Sequence, residues 1–187
     1  PRSDWDNSLS NMGREGSWTA YGRGWGEAAT APYRELKGSL YSGGTLAATF
    51  VNHNSIKNSG GFDRRYLTVM DILPTFLDIA NMNEMETGES PPVRGRSFWK
   101  QLQGEDIPVH DKSESIPWMT SETKQALVRW PWKIIQIQSD DDDAKTLTGD
   151  RNKWLLFNLV DDPGETINLA NQYPKIQSEL IAQWLKL

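Results

Sequence analysis

A chain of 187 residues, 37% hydrophobic and 24% charged with a net charge of −5, is long enough to bury one ordinary core or a small pair of them. That balance argues against a disordered chain and against a polyanion-binding one, so nucleic acid is not expected as a partner. No apolar run approaches the ~20 residues of a membrane helix, no charged-then-apolar leader opens the chain, and cysteine is absent, which points to a soluble piece, excludes disulfides and thiolate metal sites, and leaves the compartment open.

Residues 1–44 are rich in Gly, Ser, Asn and Trp without a sustained period, which predicts irregular loops of the kind that need a partner surface. Residues 45–51 (TLAATFV), between Gly43-Gly44 and Asn52-His53-Asn54, have the pattern of a buried central-sheet strand with a turn at each end. Leu67, Met70, Leu73, Leu77 and Ala80 recur at helical spacing, and Pro74 either starts a second helix there or kinks one. Residues 84–96 are polar and carry Pro91-Pro92, so a loop is expected before a short helix over 97–103, with Ser97 as N-cap and Gly104 as stop. Two β-prone runs, 125–129 and 132–138, flank Trp130-Pro131, and a third spans 153–160. Together they predict an antiparallel sheet with the acidic run Asp140 to Asp143 in its connection. Pro174 at a first helical position, followed by Ile176, Leu180, Trp184 and Leu187, marks a closing amphipathic helix over one face of that sheet. Most of the nine Trp are expected to fill core.

Two blocks are more specific. Leu155-Leu156-Phe157-Asn158-Leu159-Val160-Asp161-Asp162-Pro163-Gly164-Glu165-Thr166-Ile167-Asn168-Leu169-Ala170 resembles the LYDL-x-x-DP-x-E-x-x-NLA signature near the end of arylsulfatases. Ala31-Pro32-Tyr33-Arg34-Glu35-Leu36-Lys37-Gly38-Ser39-Leu40-Tyr41-Ser42-Gly43-Gly44 resembles that family's active-site lysine segment, and the two occur in family order. Asp71 to Ala80 is similar to its D-x-x-PT-x-x-x-x-A helix, and Gly95 to Glu105 to its GRS-x-x-x-x-L-x-GE run. Departures exist: 45–49 lacks the Arg and Pro of the usual GG-x-RVP strand, and Trp130-Pro131 replaces an Asp-Gly hairpin turn. Asp162-Pro163-Gly164 reads as a tight turn, with Pro fixing φ and Gly permitting a positive φ, so that motif is structural.

The resemblance implies an α/β fold. Residues 1–110 would end the alkaline-phosphatase-like sheet domain of a sulfatase, and 111–187 would form a small antiparallel sheet with a closing helix. It implies a parent enzyme that hydrolyses organic sulfate esters, most naturally aryl sulfates, with Ca²⁺ or Mg²⁺ and a formylglycine made from Cys or Ser, acting in the periplasm or outside the cell. Nucleophile and metal ligands are missing and the chain starts at Pro1. It therefore reads as a C-terminal piece, inactive alone, whose partner is the N-terminal remainder of the sulfatase domain.

Sulfate ester hydrolysis needs a strong nucleophile, positive charge around the sulfuryl oxygens and an acid for the leaving alkoxide. By motif the sulfate-contacting lysine falls on Lys37, whose ammonium on a flexible stem suits a point-charge contact; the commoner fate of a loop lysine is solvation. Tyr21, Arg23 and Trp25 resemble the substrate-side loop of bacterial arylsulfatases, where aromatics face an aryl or sugar group, and ordinary packing is the competing account. Ser90-Pro91-Pro92-Val93-Arg94 fits a loose [CS]-x-P-x-R modification motif but in the wrong place, and Ser3-Asp4-Trp5-Asp6-Asn7 is a broken SDNG ligand motif. Asp140 to Asp143 lacks the alternation and turn glycine of a calcium loop, and His53 and His110 read as surface residues, so no metal site is expected in this chain. Two other classes stay open: a phosphonate or phosphate monoester hydrolase on the same scaffold, and a non-catalytic carbohydrate-binding or interaction module built on the Trp-rich start.

Overall fold

A computed structural model describes residues 5–18, 20, 22–57, 59–82, 92–121, 123–137 and 153–187. The acidic run Asp140 to Asp143, Tyr21, the start of the broken SDNG motif, most of the loop predicted over 84–96 and Ser90-Pro91 lie outside them. The chain divides into two compact units, one of Pro1–Leu46 with Pro117–Leu187 and the other of Ala47–Ile116.

The first unit is built on a four-stranded sheet in the order β1 (Ile116–Ser121), β2 (Lys124–Arg129), β3 (Trp132–Ile137), β4 (Leu155–Asn158). The β2–β3 and β3–β4 pairs are antiparallel, and Trp130-Pro131, joined by a cis peptide, forms the two-residue connection that sets Arg129 opposite Trp132. Three of these strands match the β-prone runs. The strand missed by sequence reading, β1, carries Pro117, which cannot donate to a ladder; the strand order puts it at a sheet edge, where proline is tolerated.

Strand alternation sorts the side chains onto two faces. Ala126, Ile135, Leu155 and Phe157 meet Leu40 and Tyr41 on one face. Leu127, Ile134 and Leu156 meet Leu180 of the closing helix on the other, with Ile176, Ile181 and Trp184 packed around them. Both faces being covered explains the continuous apolar runs in β2–β4, which lack a polar-out alternation. The closing helix runs Pro174–Trp184 with Pro at its start; Leu187, expected on its apolar face, lies past its end and is exposed. The tryptophans serve as rims more than as core. Trp118, Trp132, Trp154 and Trp184 are half-buried against the two clusters, and Trp18 and Trp25 are exposed, consistent with a ring too large to be covered on all sides in a small unit.

The stretch 1–44 is less irregular than its composition suggests. Helix α1 (Gly22–Thr30) forms in spite of three glycines, and a single turn α2 (Ser42–Thr45) follows. Propensity alone disfavours α1, but Gly26 is buried against Leu36, where a Cβ would lie 2.9 Å from Cδ1 and the leucine side chain would have to shift to admit it. Close packing of the helix on that leucine therefore decides the matter. Residues 45–51 are not a strand. Backbone at Leu46 is extended (φ −89°, ψ 137°), yet no ladder forms and Phe50 is 94% exposed. A central strand needs neighbours on its edges, and none of the described strands β1–β4 pairs with these residues.

In the second unit, a 3₁₀ turn (Val69–Asp71) leads into α3 (Ile72–Ile79), with Pro74 in its first turn and no interruption, and α4 (Trp99–Leu102) follows. Phe98 rather than Ser97 takes the N-cap position of α4, although the Ser97 hydroxyl accepts from Trp99 N–H (3.2 Å); Gly104 takes φ 99°, as expected of the stop. Asp71, fully buried, is the hub. Its carboxylate accepts from Thr68 N–H (2.6 Å), Thr68 Oγ1–H (3.1 Å) and Arg96 N–H (2.8 Å), and lies 2.8 Å from His110 Nε2. Thr75 Oγ1 donates to Asp71 O (2.6 Å) and accepts from Phe98 N–H (3.0 Å). The D-x-x-PT and GRS motifs are thus stitched directly to each other.

Candidate active-site loop

The lysine segment is shaped by a turn and closed by a glycine pair. Ser39 N–H donates to Leu36 O (3.1 Å), and Gly38 adopts φ 88°. Lys37 therefore takes the second and Gly38 the third position of a tight turn, the place where a positive φ calls for glycine. Lys37 is exposed at its crest. Behind it, Glu35 is mostly buried in a left-handed conformation (φ 61°). Its carboxylate accepts a very short hydrogen bond from Ser39 Oγ–H and lies 3.8 Å from Arg23 Nη2, while its carbonyl accepts from Thr30 Oγ1–H (2.6 Å). A Cβ on Gly43 would stand 2.0 Å from Glu35 O, and one on Gly44 2.3 Å from Ser39 O, so the chain returns against itself at a distance that only glycine allows.

Arg23 and Trp25 are on α1, which packs on Leu36 and bonds the carbonyl of Glu35. The structure thus brings Arg23, Trp25 and Lys37 onto one connected piece. Arg23 reaches this piece through Glu35 and also pairs with Glu27 (2.8 Å); the Trp25 ring is 73% exposed.

Sequence reading missed what anchors this loop. Glu165, of the DP-x-E signature, is fully buried. One carboxylate oxygen is 2.8 Å from Lys133 Nζ, the other accepts from Ser42 N–H (2.5 Å), and its backbone carbonyl accepts from Arg34 Nη1 (2.9 Å). Lys133, only 2% exposed, is on the Tyr41 face of β3 in register with Phe157. Burial pushes its ammonium below the ordinary 10.5, and Glu165 pulls it back. A lysine inside the apolar run WKIIQI was the available signal. The turn's chemistry also differs from expectation: Glu165 N–H donates to Asp162 O (3.0 Å), but the positive φ (53°) belongs to Glu165, not Gly164. Gly164 serves a close approach, since its Cβ would lie 3.3 Å from Pro32 O. Asp162 caps Thr166 N–H (2.7 Å) and Ile167 N–H (2.8 Å), and Asn168 Oδ1 accepts from Leu156 N–H (3.1 Å) on β4.

Arg34 lies over the Tyr41 ring at 4.7 Å. The Tyr41 hydroxyl is buried and has no hydrogen-bond partner among the described residues; burial raises its phenol well above the ordinary 10.0, Arg34 opposing and Glu35 and Glu165 adding to it. A folded-state value above the unfolded one means stability that is intact below 10.0 and lost as pH rises past it. Tyr41→Phe is accordingly expected to be the less alkali-sensitive protein, measured as the denaturation midpoint on either side of pH 10.0.

The two histidines part ways. His53 is exposed, its ring edge-on to Trp99 at 5.0 Å. His110 corrects the surface expectation: its side chain is 6% exposed, with Glu114 Oε2 at 3.2 Å from Nδ1 and Asp71 on the other nitrogen. A polar sequence context concealed this, because carboxylates 39 and 4 residues away supply the partners.

A divalent ion needs a convergent set of hard ligands. Among the described residues no group of three or more His, Asp or Glu is arranged to hold one. No helix among them is long and apolar enough to cross a membrane.

No family model matches the sequence. An uncharacterized sulfatase of Schizosaccharomyces pombe is 31% identical over 189 residues, covering 99% of this chain and 32% of the relative. An arylsulfatase of Klebsiella aerogenes is 30% identical over 89 residues, 47% of this chain and 19% of that protein. Arylsulfatase J of Mus musculus is 24% identical over 201 residues, 89% of this chain and 32% of that protein. The chain spans about a third or less of the length of these relatives. With the lysine segment and the DP-x-E signature joined in one buried cluster, and similarity running along nearly its whole length, the chain belongs to the sulfatases of the alkaline-phosphatase-like superfamily and corresponds to their C-terminal portion.

Proposed function

We propose that this chain is the C-terminal portion of an enzyme that hydrolyses organic sulfate esters, with aryl sulfates as the favoured class and Lys37 as the group that contacts the sulfuryl oxygens. The single observation that carries the reading is the crest position of Lys37. It is an exposed cation on a turn whose flanks are pinned by Glu35, Ser39 and the Gly43-Gly44 return. An ammonium so presented meets an anionic ester without first being ordered, which is where electrostatic stabilisation is most effective. Arg23 and Trp25 on α1 would border the leaving group, Trp25 offering an open ring face to an aryl or sugar ring; Tyr21, expected from the sequence beside them, lies outside the described residues. The nucleophile, a formylglycine, and the Ca²⁺ or Mg²⁺ would come from the N-terminal remainder, so the 187 residues alone would not turn over substrate. In that parent, 1–110 would complete the catalytic domain and 111–187 form a small subdomain.

Exposed apolar surface supports such a partner. Val69, Ile72, Leu73 and Phe76 recur at i, i+3, i+4 and i+7 through the 3₁₀ turn and α3, and all four are exposed. Such a stripe ordinarily packs against something. Lys37→Ala in the complete polypeptide is expected to lower kcat/KM for an aryl sulfate about 100-fold or more, in line with loss of one charge-stabilising contact. Turnover at an unchanged rate would remove Lys37 from the site. Preference for phosphonate over sulfate esters in the same assay would replace the reaction class.

A further inference from the structure

The geometry points to Glu165 as the positioning residue for Lys37, the DP-x-E glutamate acting as a clamp that sets the shape of the active-site lysine loop. This rests on the reading of Lys37 given above and deepens it. Glu165 grips the segment at two places, Arg34 ahead of Lys37 through the Glu165 carbonyl and Ser42 behind it through the carboxylate. Between those grips the loop closes on itself, because Gly43 N–H donates to Arg34 O (2.8 Å). The clamp is rooted in the sheet by Lys133, which occupies the second carboxylate oxygen.

A buried ion pair is a weak means of gaining stability, since a well-packed apolar pair of similar volume does as well or better. Here one oxygen of the pair is committed to an amide of the lysine segment, and the carbonyl of the same residue to the arginine at its other end. An apolar pair could stabilise the sheet but could not hold Ser42 N–H. The arrangement thus fixes geometry, and geometry is what a point-charge contact needs: a displacement of about 1 Å costs on the order of 100-fold in rate.

The test separates clamp from fold with two paired variants. Lys133→Met with Glu165→Leu removes the ion pair and the acceptor for Ser42 N–H. Lys133→Met with Glu165→Gln removes the charges but keeps a carbonyl oxygen for that amide. Hydrogen exchange is read in the 187-residue chain at Ser39 and Gly43, whose own acceptors, Leu36 O and Arg34 O, neither variant touches. Leu127 and Ile134 in the sheet are the fold control. The leucine variant is expected to speed exchange at Ser39 and Gly43 about tenfold or more relative to the sheet amides, and the glutamine variant to stay within about threefold of the parent chain, the pattern of a local opening. In the complete polypeptide, the leucine variant should raise KM for an aryl sulfate about tenfold and the glutamine variant restore it, whereas a purely structural role would lower kcat with the folded fraction and leave KM alone. Equal protection of Ser39 and Gly43 in both variants, or a KM that moves in neither, would overturn the clamp. If Lys37→Ala leaves turnover intact while the exchange pattern holds, the sulfate reading fails and the loop clamp stands.

Discussion

Glu165→Ala is expected to destabilise the first unit by about 3–5 kcal/mol, because it leaves the Lys133 ammonium buried without a counter-charge. Lys133 is only 2% exposed and lies on the face of β3 that meets Tyr41 and Phe157. Neither water nor a rotamer change can solvate its charge cheaply there. The same substitution strips Ser42 N–H of its acceptor, and an unsatisfied buried donor adds to the loss. Pairing it with Lys133→Met should recover most of the ion-pair component but not the amide component. Urea denaturation followed by Trp fluorescence measures both, and a single variant as stable as the parent chain would mean that the pair is not buried in solution.

Asp71→Ala should be as damaging to the second unit, at about 3–5 kcal/mol, for a different reason. The residue carries no core packing of consequence; it is an acceptor. Four donors converge on it from three places in the sequence: the amide and hydroxyl of Thr68, the amide of Arg96 and the ring of His110. All lose their partner together, and the register between α3 and residues 96–98 is lost with them, because the other stitch, Thr75 to Phe98 N–H, is set by the same turn. Asp71→Asn keeps one acceptor oxygen and should retain about half of the loss-prone stability, so the Ala and Asn midpoints ought to differ clearly; identical midpoints would show that the hub role is wrong.

Both predictions concern residues that sit in recognisable motifs, and they show what a motif conveys. The letters D-x-x-PT and DP-x-E were legible as family signatures, and the closing helix and three of four strands were legible from period and turn chemistry. Their physical roles were not. Asp71 and Glu165 are acidic residues in turn-rich surroundings, where exposure is the ordinary fate. Only the arrival of Arg96 and His110 in one case, and of Lys133, Arg34 and Ser42 in the other, makes them buried hubs. Of Lys133, Arg34 and Ser42, the nearest to Glu165 in sequence is 32 positions away (165 − 133), beyond the reach of any periodicity.

The errors have similar causes. Residues 45–51 have the composition of a central strand, but none of the described strands pairs with them, so local pattern outran tertiary pairing. Helix α1 has poor intrinsic propensity and forms because Gly26 lets it close on Leu36. The sequence by itself determined the antiparallel β2–β4 sheet and its amphipathic cover, because alternation and helical period are local properties of the side chains. It also determined the turn that lifts Lys37, because Lys-Gly at its centre suits the required dihedrals. Tertiary structure alone decided that the last signature of the chain grips the lysine loop near its beginning: a carboxylate becomes a clamp only where folding removes water and delivers an ammonium and an amide from distant segments.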